Sequence, residues 1–231
     1  MATTRTPNAQ YNLAAPDSLA VRIAGRVRKQ MFETFLAEFK PSPQETVLDI
    51  GATSDQSYSH SNYFEALYPY KHRITAASID DCKFLEELYP GMIFKSANAL
   101  DLPFESSSFD LVHSSAVLEH VGSRECQARM VAECLRVARR GVCLTTPNRW
   151  FPVEFHTQLP LLHWLPHNVY RPIYRAIGLQ FFAEEANLNL MSMRNLLEIS
   201  SRFSDWHFVM RFGRLFGLNS NLILCAHRIS R

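Results

Sequence analysis

Several short apolar runs in this chain end on residues whose types can grip a small polar ligand. The run TVLDI ends at Gly51, with Asp49 two residues ahead; a glycine there lets a ligand approach the backbone closely and accepts either sign of φ. The run ITAASI ends at Asp80 and Asp81. A carboxylate about 30 residues beyond such a glycine can accept both hydroxyls of a ribose, and either acid can instead cap the next helix. After the third run comes Ala97-Asn98-Ala99. The Asn98 oxygen can accept from an adenine amino group and the Ala99 N–H can donate to the ring, although an asparagine also suits a plain turn. Ser114 and Ser115 close the run FDLVHS and suit ligand contact and helix capping equally.

A second set of residues can move protons. His120, in LEHV, can take a proton from a phenol or hydroxyl, or simply pack its loop. Glu154 and His156, in PVEFH, lie two apart, so in an extended segment both point to one side and can face a substrate; plain surface exposure is the alternative. His163 and His167 are four apart, a spacing that pairs metal ligands on a helix. Pro166 lies between them and no third ligand is evident, so no metal site is expected.

The elements that must position these residues follow a regular rhythm. A helix capped by Asp17 or Ser18 runs to about Phe39, with Leu19, Ile23, Val27, Met31, Phe35 and Phe39 on one stripe and Arg22, Arg26, Arg28 and Lys29 outside it. Pro41 and Pro43 stop it. Strands are predicted over 46–50, 74–79, 92–96, 109–114 and 142–146, with helices over 62–68, 82–89 and 124–138, the last ended by Gly141 and carrying Arg136, Arg139 and Arg140 at a solvated end. Strand alternating with helix means parallel pairing through right-handed crossovers, with ligands at the carboxyl ends of the strands. Residues 147–190 break the rhythm with five prolines among many aromatics and read as a cap. Trp150, Phe151, Phe155, Trp164, Phe181 and Phe182 there can line an apolar substrate pocket or form the cap's own core. Two closing strands, 203–210 and 222–227, are expected as a hairpin through a turn bearing Gly213 and Gly217.

VLDIG, SIDD, ANALDLPF, FDLVHSSAVLEHV and LRVARRG together resemble the class I S-adenosylmethionine-dependent methyltransferases of the type-11 group, over roughly residues 46–147. The resemblance implies a Rossmann-like, doubly wound α/β sheet of seven mostly parallel strands with a C-terminal antiparallel hairpin and a cap insertion. It implies S-adenosyl-L-methionine as cofactor, its methionine near Asp49 and Gly51, its ribose at Asp80, its adenine at Asn98 and Ala99, and Ser115 near the methionine or sulfonium. It implies one domain: a tail and helix (1–40), a cofactor core (41–147), a substrate cap (148–190) and closing strands (191–231). One departure stands out. The family's Gly-x-Gly-x-Gly is reduced to Gly51, followed by Ala52, Thr53 and a long polar loop. A dinucleotide pyrophosphate would need the missing glycines, whereas this cofactor carries no phosphate. The same feature motivates a rival reading, a catalytically degenerate fold that binds a partner.

Composition narrows the function classes further. The 231 residues carry 24 Lys plus Arg against 22 Asp plus Glu, a formal net charge of +2, so no broad basic field points to nucleic acid. No run reaches the ~18 apolar residues of a membrane helix, although the Trp-, Leu- and Arg-bearing stretch 159–182 can touch a membrane face as a minority reading. The N-terminal 16 residues lack the apolar core of a secretory signal and are expected to be loosely held. Five scattered cysteines read as reduced thiols in the cytoplasm. The expected reaction is methyl transfer to a small, apolar or lipid-linked acceptor.

Overall fold

The computed structural model describes residues 18–58 and 60–229; the N-terminal tail and Asp17 lie outside them. Seven strands form one sheet: β1 (Val47–Ile50), β2 (Ile74–Ser78), β3 (Ile93–Ser96), β4 (Phe109–Ser115), β5 (Ala138–Pro147), β6 (Trp206–Leu215) and β7 (Leu218–Arg228). Their order is β3-β2-β1-β4-β5-β7-β6. The first five pair in parallel, and β7 runs antiparallel to both β5 and β6. Strand order reverses between β1 and β4, the place where such sheets open a crevice. This is the doubly wound, mostly parallel seven-stranded sheet expected from the sequence.

Helix α1 (Leu19–Phe39) starts where Ser18 accepts from the Val21 N–H and ends where Lys40 turns left-handed. Val27, Met31, Phe35 and Phe39 bury against the sheet, but Leu19 is 70% exposed and Ile23 only half-buried. The first half of α1 overhangs the strand ends instead, presenting Val21, Ala24 and Arg28 to a cleft. Arg28 therefore belongs inside, contrary to its place off the predicted stripe. On the same face lie the short helices α2 (Tyr63–Leu67) and α3 (Phe84–Leu88). The opposite face carries α4 (Arg124–Val137), capped by Ser123, and α7 (Met193–Ser200). The latter went unpredicted, although Ser192 and Asn195 form a reciprocal capping box at its start.

Gly141 does not end a helix. It lies inside β5, where a Cβ would come within 2.5 Å of the Phe39 ring, so glycine there lets α1 pack onto the sheet. Arg139 and Arg140 consequently belong to β5 and pair with Asp110 and Glu45 rather than facing solvent alone. The closing strands are longer than expected and meet at Phe216-Gly217, both at positive φ, which suits a two-residue hairpin; Gly213 lies within β6.

The segment after Pro147 leaves the sheet and returns by a bridge between Asn148 and Met191. It contains α5 (His167–Ala176) and α6 (Gln180–Ala183) around its own small core of Tyr170, Tyr174, Phe182 and Leu188. Trp150 and Trp164 stack edge-on at the outer surface and are half exposed.

Candidate active site

A cleft of about 730 Å³ opens at the carboxyl ends of the parallel strands, under the first half of α1 and one edge of the cap. Its size is in the upper part of the ~300–1,000 Å³ range of small-molecule sites. Gly51 forms the turn after β1 at φ +100°, and its missing Cβ is the space that Val117 occupies; an added Cβ would lie 2.1 Å from Val117 Cγ2. The glycine is thus required by both backbone and packing. The long loop after it is held in place, because Asn62 accepts from the Thr53 N–H and donates to the Thr53 carbonyl, each at 2.9 Å. Asp55, Tyr58 and Ser61 of that loop line the cleft.

The two acids after β2 divide their work. Asp80 lines the cleft, whereas Asp81 is exposed and accepts from the Lys83 N–H at the entry to α3. Asn98 and Ala99 border the same space, but the Asn98 oxygen already accepts from the Leu100 N–H at 2.9 Å, closing a local turn. Only its second lone pair remains for a ligand. Ser115 lines the cleft and accepts from the Thr145 hydroxyl at 2.9 Å, while Ser114 is turned into the sheet and donates to the Ile50 carbonyl. The next residue, Ala116, is left-handed at φ 55°, a conformation alanine rarely adopts, at the mouth of the cleft.

Asp49 does not face the main cleft. It is buried and hydrogen-bonded to His113 on β4, beside Glu65, and borders a separate cavity of about 40 Å³ beneath Gly51. Burial pushes Asp49 up to about 7 and Glu65 well above the usual carboxylate range, and holds His113 down at about 3. Arg28 borders both cavities, donates to the His60 carbonyl at 2.8 Å, and has its pKa lowered by desolvation. Sequence reasoning missed it because helical periodicity reports which face packs, not which face overhangs a cleft.

At the far end, the turn Leu118–His120 is clamped to the returning chain. Gln127 donates to the Leu118 and Asn189 carbonyls, and the Asn189 N–H donates to the Glu119 carbonyl. His120 lines the cleft, and its Nδ1 donates to the Asn187 carbonyl at 2.7 Å. Burial and the His156 charge hold its ring at about 3, so it is neutral and a poor proton acceptor near neutral pH. That does not suit the base role read from the sequence.

Glu154 and His156 do not lie in an extended segment facing one way. The Glu154 carboxylate turns back on its own chain and accepts from His156 N–H, His156 Nδ1 and Thr157 N–H at 2.6–3.0 Å. Burial pushes Glu154 up, but the His156 charge and these hydrogen bonds outweigh it and hold the carboxyl at about 2. Glu154 is therefore a buried orienter, and His156 is the residue of the pair that lines the cleft. Burial lowers His156, and the neighbouring Glu154 carboxylate raises it by more. Of the aromatic group, Phe155 reaches the cleft, Phe182 is core of the cap and Trp150 and Trp164 face outward. His163 and His167 diverge, His163 to the Phe151 carbonyl and His167 to Arg149.

The fold is shared with known proteins. A model described as "Methyltransferase domain" matches residues 48–145, which span β1 to most of β5. No curated protein sequence matches the chain. Among solved structures, magnesium protoporphyrin IX methyltransferase from Synechocystis PCC 6803 with bound SAH is 16% identical, with 91% of this chain and 86% of that one covered at a TM-score of 0.56. The 1,6-didemethyltoxoflavin-N1-methyltransferase of Burkholderia thailandensis, with 1,6-didemethyltoxoflavin and S-adenosylhomocysteine bound, is 15% identical, with 94% and 92% covered at 0.58. A structure described as a putative Zn-dependent alcohol dehydrogenase from Rhodobacter sphaeroides is 11% identical, with 87% and 90% covered at 0.60. At such identities these likenesses establish the fold. The match over residues 48–145 and the shared fold are what the chain has in common with S-adenosylmethionine-dependent methyltransferases.

Proposed function

We propose that the cleft holds S-adenosylmethionine along the ends of β1 to β4 and transfers its methyl group to a small-molecule acceptor bound under the edge of the cap. The observation that carries this reading is the convergence of Gly51, Asp80, Ala99 and Ser115, from four different strand ends, on one cleft in a methyltransferase core. Asp80 accepts the ribose hydroxyls, the Ala99 N–H meets the adenine, and Arg28 faces the carboxylate of the methionine end. The acceptor lies between α1, through Val21 and Ala24, and the cap, through Phe155 and His156. Two of the similar structures are named for, or hold, small heterocyclic molecules, which fits such an acceptor.

The sulfonium is already an activated electrophile. What the chain must supply is alignment of nucleophile, methyl carbon and sulfur, and exclusion of water. The ordered loop after Gly51 and the overhanging α1 serve that purpose. The five cysteines are free, which fits a reducing, cytoplasmic setting. Among the described residues no helix is long and apolar enough to cross a membrane.

Calorimetric titration with S-adenosylmethionine and, separately, NAD tests the reading. Micromolar binding of the first alone is expected. Binding of neither ligand sinks the proposal and turns attention to the partner-binding alternative.

A further inference from the structure

The acceptor end of the cleft contains a cluster that methyl transfer by alignment alone does not use. Glu119, His120 and His156 each offer one ligand atom, and these three atoms lie within 4.8 Å of one another. Glu119 is completely buried. One of its carboxylate oxygens accepts from the Thr146 hydroxyl at 2.8 Å, and the other, Oε1, has no hydrogen-bond partner. A buried carboxylate oxygen without a donor is costly unless a cation or a proton offsets its charge. Nearby lie the two imidazoles, with His120 Nε2 3.8 Å from Oε1.

Both rings are oriented from behind. A carbonyl and a carboxylate only accept, so His120 Nδ1 is the donor to Asn187 at 2.7 Å and His156 Nδ1 the donor to Glu154 at 2.6 Å. In each neutral ring the coordinating lone pair then belongs to Nε2. A metal-binding histidine is held in the same way, its other N–H given to a carbonyl or carboxylate. Ligand atoms around an ion at ~2.1 Å lie about 3–4 Å apart, so a small rotation of the side chains completes the set.

From this arrangement we infer that Glu119, His120 and His156 bind one divalent first-row transition ion at the acceptor end of the cleft. Two imidazoles and one carboxylate suit zinc, iron(II) or manganese rather than magnesium or calcium, which prefer oxygen. The two histidines line the cleft, so the open coordination positions face the space where an acceptor oxygen or water would bind. The acceptor role rests on the reading of the cleft given above; the ion site itself does not.

The test is to strip the purified full-length chain with a chelator and titrate it with Co2+, following visible absorption, and with Zn2+ by calorimetry. S-adenosylhomocysteine binding is measured on the same samples. One saturable Co2+ per chain, displaced by Zn2+, is expected. His156→Ala should abolish it, and the isosteric Glu119→Gln should weaken it at least tenfold. Glu154→Gln, which keeps all three ligand side chains but disturbs the orientation of His156, should cost about 10–100-fold. A chain that binds S-adenosylhomocysteine but takes up neither ion at one per chain overturns the inference, as does uptake unchanged by both ligand substitutions. Ion binding without S-adenosylhomocysteine binding would leave the ion site standing and remove the cofactor reading instead.

Discussion

Asp49 and His113 lie directly opposite each other on the paired strands β1 and β4, and their side chains are hydrogen-bonded in the core beneath Gly51. The Phe64 ring stacks on His113 at 4.1 Å, and Glu65 completes a buried group with two carboxyls and one imidazole. The acid that the sequence offers as a cofactor contact lies in the core next to the Gly51 turn, outside the lining of the cleft.

The protonation of this floor should make stability fall as pH rises. The folded Asp49 keeps its proton to about 7, whereas the unfolded residue has lost it above about 5. The native state therefore binds more protons, and stability declines through the native pKa. His113, held at about 3, acts oppositely, because the unfolded ring takes up a proton below its ordinary value while the native ring does not. Its contribution is confined to the acid side of about pH 6.5. In urea unfolding, the difference in unfolding free energy between the protein and Asp49→Asn should thus change by up to ~1.4 kcal/mol per pH unit between about pH 5 and 7 and level off above that. Equal slopes in the two proteins would contradict the buried-carboxyl account.

Gly51 is tested by a pair of substitutions. Gly51→Ala should destabilise the chain by about 1–3 kcal/mol through overpacking, with a further penalty from the positive φ, and should weaken S-adenosylhomocysteine binding. Adding Val117→Ala removes the atom that a Cβ would strike at 2.1 Å, so it should recover part of the loss. The remainder is backbone strain, which no neighbour can relieve. Full recovery would show that packing alone demands the glycine, and no recovery that packing plays no part.

The parallel core was legible in the sequence because β1, β2 and β4 are short buried runs closed by a small or acidic residue, and Gly51, Asp80 and Ser115 at those ends border the cleft. Other features were hidden for identifiable reasons. Gly141 looked like a helix stop because a glycine after a helical run usually is one, but contact with Phe39 across the sheet decided its place. Helix α7 was masked by the expectation of strands, although Ser192 and Asn195 signalled its start. The extended reading of Glu154 and His156 failed because a carboxylate beside three N–H groups folds the chain back onto itself. Glu119 was passed over for its neighbour His120, since nothing local says that one will be wholly buried with an unpartnered oxygen or that residue 156 will come alongside.

The two acids after β2 should behave differently. Asp80→Ala is expected to weaken S-adenosylhomocysteine binding by about 1–3 kcal/mol, the cost of lost hydrogen bonds to a charged acceptor. Asp81→Ala should leave affinity unchanged, because its carboxylate is occupied with the Lys83 N–H outside the cleft. Calorimetry on both variants decides it. A loss confined to Asp81 would mean that the ribose is held from the other side of the turn.

Arg28 should distinguish the two halves of the cofactor. It borders both the cleft and the small cavity next to Gly51 and is the cation that α1 brings there. Replacing it with methionine keeps most of the buried stem and removes the charge. Affinity for S-adenosylhomocysteine, which carries a carboxylate, should fall by about 1.5–3 kcal/mol, the worth of a hydrogen bond to a charged group. Affinity for 5′-methylthioadenosine, which lacks the amino-acid tail, should stay nearly constant. Because the two ligands share the nucleoside, a variant that has merely lost its fold would lose both. Equal losses would therefore make Arg28 a structural residue, held by the His60 carbonyl, and leave the carboxylate to another partner.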